Sequence, residues 1–110
     1  MTLEEMEKYA KEQNVPIMEK EGIEILTKYI KDNNIKSILE IGAAIGYSAI
    51  KMASISDDIK VTTIERDKKR YDIAVSNINK YNLNKQINII YGDACDIDCT
   101  EKFDLIFIDA

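Results

Sequence analysis

Ile38-Leu39-Glu40-Ile41-Gly42-Ala43-Ala44-Ile45-Gly46-Tyr47-Ser48 reads as an apolar strand that runs into a glycine-punctuated turn and out again into a helix. Gly42 would let the backbone turn sharply and approach a ligand, and Gly46 would let the following helix pack close to the strand. The spacing is Glu-x-Gly-x-x-x-Gly. It differs from the Gly-x-Gly-x-x-Gly of dinucleotide folds, in which a pyrophosphate rests on the helix N-terminus. Alone, the stretch points to a nucleotide-type α/β fold and leaves the ligand open.

Outward from this turn the chain alternates between two periodicities. Ile35 to Ile41 reads as a strand, Tyr47 to Ile55 as a helix, and Ile59 to Ile64 as a strand rich in β-branched residues. Asp67 then caps a helix carrying Tyr71, Ala74, Val75 and Ile78, followed by strands over Ile87 to Tyr91 and Phe103 to Ile108. Strand and helix alternating in this way predict right-handed βαβ crossovers and a parallel sheet. Upstream, Leu3, Met6 and Ala10 form a thin apolar stripe on a docked or semi-mobile helix from Thr2 to about Asn14. Pro16 breaks that pattern. Ile23, Leu26 and Ile30 mark a second helix from Glu19 to Asn33, which Asn33-Asn34 stops. A single domain over 1–110 therefore divides into N-terminal helices (1–34) and a βαβ core (35–110). The last strand is apolar on both faces and expects further elements to cover it, so the sequence reads as the N-terminal portion of a longer protein.

Composition narrows the class. At 110 residues, 45% hydrophobic and 32% charged, with one proline and four glycines, the chain is an ordinary globular domain rather than a disordered tail. A net charge of -5 argues against a protein that holds nucleic acid by blanketing its phosphates. Lys68, Lys69 and Arg70 cluster, but Glu65, Asp67 and Asp72 flank them, which reads as a solvated helix surface. Cys95 and Cys99, with no histidine anywhere, make a poor zinc site and read as two reduced thiols. No secretory pattern and no apolar run of roughly 20 residues is present. Cytoplasmic residence is expected.

Ligands of a doubly wound sheet bind where loops leave the carboxyl ends of the strands. Three such exits carry distinctive residues. Glu40 to Ser48 is the first. Glu65, ending the second strand, has a carboxylate able to accept both hydroxyls of a ribose, or is a surface acid beside Arg66. Gly92-Asp93-Ala94 offers a carboxylate and a backbone N–H to an adenine edge, or is a plain turn.

In order and spacing the three exits resemble the class I S-adenosylmethionine-dependent methyltransferases. The run Leu39 to Ser48 is similar to the metal-dependent O-methyltransferase branch that includes the catechol and caffeoyl-coenzyme A enzymes, and Phe107-Ile108-Asp109-Ala110 fits the same branch. Asn14-Val15-Pro16-Ile17-Met18 together with the Gly-Ala-Ala-Ile-Gly-Tyr-Ser loop resembles bacterial members that methylate 5-hydroxyuridine in tRNA. The resemblance implies the Rossmann-like class I methyltransferase fold, of which this is the N-terminal half with parallel strands 1–4. It implies S-adenosylmethionine and Mg²⁺ as cofactors. Met18 would line the methionine side, Glu40 and Gly42 would shape the loop under the amino acid moiety, and Ser48 would contact its carboxylate. Glu65 would bind the ribose, Asp93 and Ala94 the adenine, and Asp109 would sit between cofactor and metal. Met18 as core packing, and Asp109 as a strand-end acid capping the next helix, are the plainer alternatives. The family's remaining metal ligands, an Asp-Asn pair, and its catalytic lysine have no counterpart in these residues.

The expected activity is Mg²⁺-assisted methyl transfer to a hydroxyl. The absence of histidine, the commonest general base, suits such a scheme. The expected acceptor is tRNA hydroxyuridine, with a small catechol or phenylpropanoid as the alternative, and a homodimer is expected. A nicotinamide-binding protein and a non-catalytic interaction domain are the readings from other classes.

Overall fold

The structure, a computed structural model, describes residues 1–94 and 102–108. Two helices, α1 (Leu3–Glu12) and α2 (Lys20–Asp32), precede β1 (Ser37–Ile41), α3 (Tyr47–Ala53), β2 (Lys60–Glu65), α4 (Lys68–Lys80), β3 (Ile87–Tyr91) and β4 (Leu105–Ile108). The four strands form one sheet in the order β3-β2-β1-β4. All three pairings are parallel. This is the parallel α/β sheet that the alternating periodicity predicts, in the Rossmann-like arrangement that the resemblance implies.

Local chemistry sets the helix ends. Thr2 and Glu5 close a capping box on α1: Thr2 N donates to Glu5 Oε1 at 2.8 Å and Glu5 N to Thr2 Oγ1 at 3.1 Å. Asp67 caps α4 as expected, accepting from Arg70 N at 3.0 Å. Asn14, Asn34 and Asn82, which follow α1, α2 and α4, take positive φ of 54°, 52° and 57°. Asparagine tolerates that left-handed conformation better than most residues.

Several boundaries differ from expectation, each for a hydrogen-bonding reason. The first strand starts at Ser37 rather than Ile35, because Ile35 N donates back to Ile30 O at 3.1 Å and so finishes the α2 turn. The third helix ends at Ala53, where Ser54 is the C-cap and Ile55 N turns back to Met52 O. The second strand is shifted by one residue, to Lys60–Glu65, since Ile59 N is taken by Ser56 O in the preceding turn. The last strand starts at Leu105, two residues late, because Asp104 is used as a staple. Its Oδ2 accepts from Lys36 N at 2.9 Å and Ser37 N at 3.2 Å, while its own N donates to Ser37 O.

Those two backbone N–H groups, Lys36 first, hold the Asp104 carboxyl below its usual range. A carboxyl depressed in the folded state contributes stability above its unfolded pKa and loses it as pH falls through the folded value. Denaturant melts of Asp104→Asn are therefore expected to show less loss of stability than wild type between about pH 5 and 3. Parallel curves for the two proteins would refute this.

The core lies between one face of the sheet and the helices. Ile38, Val61 and Ile87 stand in register on neighbouring strands and pack with Ile50 and Met52 of α3 and Ile78 of α4. Met6 and Ala10 bury the stripe of α1 in the same cluster, so α1 is docked. Leu39 and Ile64 point to the opposite face, as strand alternation demands. On that face the row Ile90, Ile64, Ile41 and Ile108 crosses the sheet, and Ile108 is 68% exposed. The parallel pairing also brings the strand ends Ile41, Glu65 and Tyr91 together at the carboxyl end of the sheet, where the site lies.

Candidate cofactor site

The loop after β1 is held almost wholly by its neighbours. Gly42 N and Ala43 N both donate to Ile64 O at 2.9 Å, and Ala44 N donates to Glu65 Oε1 at 2.7 Å. The Ile45 carbonyl accepts from Asn77 Nδ2 of α4 at 2.9 Å. Gly42, Ala44 and Gly46 take φ of 97°, 50° and 90°. Ala44 is the costly one, and its bond to the Glu65 carboxylate offsets a strain of about 1 kcal/mol. The expectation for Gly46 needs correcting. A methyl there would meet Ala74 of α4 at 3.5 Å, an ordinary contact, so the glycine answers to its positive φ and not to close helix–strand packing.

Beneath the loop, Glu40 is fully buried. The Thr63 hydroxyl donates to its Oε1 at 2.6 Å and the Ser48 hydroxyl to its Oε2. A carboxylate without water needs such donors. The network joins β1, β2 and the first turn of α3.

A cleft of about 300 Å³ opens beside the loop. Pro16, Ile41, Ala44 and Ile64 form its apolar wall, and Glu65 and Asp93 supply carboxylates. Arg66 and Arg70 add two guanidiniums. Of the residues named from sequence, Gly42, Glu65, Asp93 and Ala94 gather at this cleft. Met18, Glu40 and Ser48 do not line it. Met18 packs across Gly22 of α2, while Glu40 and Ser48 bond to each other below the loop. Asp109, like Cys95 and Cys99, lies outside the described residues. Sequence reasoning missed Thr63, Asn77 and the arginines as parts of this site.

The Lys68–Asp72 pair is exposed, in keeping with a solvated helix surface, and Lys68 Nζ also lies 5.1 Å from the Tyr71 ring centre. Tyr71 and Tyr91 pack with centroids 5.4 Å apart.

Tyr47 opens α3 and donates its hydroxyl to Glu7 Oε1 of α1 at 3.0 Å. Burial first, then the Glu7 carboxylate, push its pKa up to about 12. A phenol raised in the folded state contributes stability below its unfolded pKa of about 10 and loses it as pH climbs towards 12. Ultraviolet titration is expected to show a late tyrosine ionisation that disappears in Tyr47→Phe. Ionisation of every tyrosine near pH 10 in the folded protein would contradict it.

The sequence profile of the O-methyltransferase family matches residues 1–110. The chain belongs to the O-methyltransferase family. Among solved structures it superimposes on a Staphylococcus aureus chain provisionally named a caffeoyl-CoA O-methyltransferase, with a TM-score of 0.92 and 41% identity over 100% of this chain and 54% of that one. An O-methyltransferase from Bacillus cereus, solved with S-adenosylhomocysteine (SAH), gives a TM-score of 0.85 and 36% identity over 99% of this chain and 54% of that one. The catechol O-methyltransferase of Niastella koreensis is 39% identical over 82 residues, 68% of this chain and 37% of its own length. The chain thus spans about half the length of these relatives or less. Among its described residues no helix is long and apolar enough to cross a membrane.

Proposed function

We propose that this O-methyltransferase family chain binds S-adenosylmethionine and serves methyl transfer to a hydroxyl acceptor. The observation that carries the reading is Glu65. Its carboxylate ends β2, lines the cleft, and is tied by Ala44 N to the glycine loop on the other side. The cleft suits such a cofactor chemically. It has apolar walls for an adenosine, a carboxylate for ribose hydroxyls, and Asp93 with Ala94 at the β3 exit for the base. The B. cereus relative was solved with SAH.

Bound there, the cofactor supplies a sulfonium methyl. Glu65, Asp93 and Ala94 would hold the nucleoside, and Gly42 would allow close approach under the amino acid portion. Glu40 and Ser48 would act from beneath by fixing the loop, and Met18 by packing α2 beside it. Alignment of the acceptor is the main catalytic demand of such a transfer. For Mg²⁺, which we propose as the second cofactor, the described residues contain no group of three metal-ligating side chains. Asp109 is the proposed ligand.

The proposed acceptor is 5-hydroxyuridine in tRNA, supported by the likeness of Asn14 to Met18 and of the Gly42 to Ser48 loop to that branch. A small catechol- or caffeoyl-type hydroxyl is the second reading. The net charge of -5 and the catechol O-methyltransferase among the relatives favour it. We also propose a cytoplasmic homodimer.

Calorimetric titration with SAH tests the cofactor reading, and saturable binding is expected. No heat from a protein shown to be folded would overturn it. Filter binding of bulk tRNA separates the acceptors. Salt-sensitive retention supports the RNA, and its absence supports the small phenol.

A further inference from the structure

Asn77 makes none of the proposed cofactor contacts. It sits in the last turn of α4, is 1% exposed, and points its side-chain amide at the glycine loop. Nδ2 donates to the Ile45 carbonyl at 2.9 Å, and Oδ1 accepts from the Met1 amino group at 3.2 Å. Ile45 is itself fully buried, so its carbonyl has no water to turn to. The other loop anchors, Ile64 O and Glu65 Oε1, both come from β2 and hold the start of the loop. Its far end, between two residues of positive φ at Ala44 and Gly46, is tied across to α4 by Asn77 alone among the described side chains. A segment that holds the non-glycine Ala44 at positive φ keeps its shape only when its surroundings over-determine it.

We infer that Asn77 is a positioning residue for cofactor binding: it holds the Ala44–Gly46 end of the loop in the conformation that faces the cleft, acting through the Ile45 carbonyl without touching ligand. The inference rests on the S-adenosylmethionine reading. The choice of residue is chemical. The site needs a donor towards Ile45 and an acceptor towards Met1 within one short planar group, and an amide has both. Asp keeps the shape and the acceptor but loses the donor.

The test compares wild type, Asn77→Asp and Ile78→Val by calorimetric titration with SAH at 10 °C, with folding checked by circular dichroism. Ile78 is a core neighbour on the same helix that does not bond to the loop, so its trimming lowers stability without releasing Ile45. Asn77→Asp is expected to raise the SAH dissociation constant about tenfold, the scale of one buried hydrogen bond. Ile78→Val is expected to stay within about twofold of wild type despite its lower melting temperature. Equal affinity in Asn77→Asp and wild type would overturn the inference, as would an equal loss in both variants. Failure of wild type to bind SAH would instead remove the cofactor reading on which it rests. Should Asn77→Asp not fold, nuclear magnetic resonance of wild type decides. The Asn77 side-chain amide should shift with the Ala43–Ile45 amides as SAH is added, while exposed Asn79 stays put. An unmoved Asn77 amide would overturn the inference.

Discussion

Glu65→Ala is expected to weaken SAH binding by roughly 10- to 100-fold, the range of a charge-assisted hydrogen bond lost together with its geometry. The side chain has two tasks. One oxygen accepts from Ala44 N at 2.7 Å and holds an alanine at φ 50°, while the other accepts from Asp67 N at 3.0 Å at the mouth of α4. Each carboxylate oxygen has a second lone pair free for a ribose hydroxyl. Alanine would therefore remove the proposed ligand contact and an observed loop anchor at once. Glu65→Gln separates the two. Its amide oxygen can still accept from Ala44 N while its NH2 loses the bond from Asp67 N, so the fold should be kept with a modest fall in melting temperature and affinity falling about tenfold. Titration of both variants with SAH measures the difference. Unchanged affinity in Glu65→Ala would remove Glu65, and with it the strongest support for the cofactor site.

The contrast between Glu65 and its less visible partners shows what a sequence of this kind exposes. Glu65 is legible because it ends a β-branched run and follows the glycine loop at the spacing of a βαβ unit, a local pattern. Element order was legible for the same reason, since periods of two and 3.6 residues are written along the chain. Thr63 was not. It matters because it stands opposite Glu40 in the β1–β2 register, and parallel register is set by packing and not by any short turn. Nothing in the sequence marks Asn77, and only the docking of α4 turns its amide onto Ile45. Arg70 reads with Lys68 and Lys69 as part of a solvated basic cluster, and Arg66 only as the neighbour of Glu65. The structure separates that cluster, leaving Lys68 with Asp72 while the two arginines line the cleft. Strand starts failed by one or two residues where a side chain or a turn took the backbone donor first, as Asp104 does with Lys36 and Ser37. The role of Gly46 was misjudged because a glycine in sequence does not say whether space or φ requires it.

Glu40→Ala should produce the largest loss of stability, about 3 kcal/mol. For a domain of this size that is a large share of roughly 5–15 kcal/mol in all and corresponds to a fall in melting temperature of more than 10 °C. The side chain is fully buried, so its removal leaves a void. It also strips an acceptor from the hydroxyls of Thr63 and Ser48, which are 0% and 4% exposed. A cycle isolates that second cost. In a Ser48→Ala/Thr63→Val background the same Glu40→Ala change should cost about 1–2 kcal/mol less, because the hydroxyls it would orphan are already gone and the carboxylate it removes had lost these donors. Additive costs would mean that Glu40 merely fills space. Non-additive costs would establish that the glutamate before the glycine loop serves first as the buried acceptor locking β1, β2 and α3 together. The cofactor would then depend on Glu40 through the loop it supports, with Glu65 remaining the carboxylate that faces the ligand.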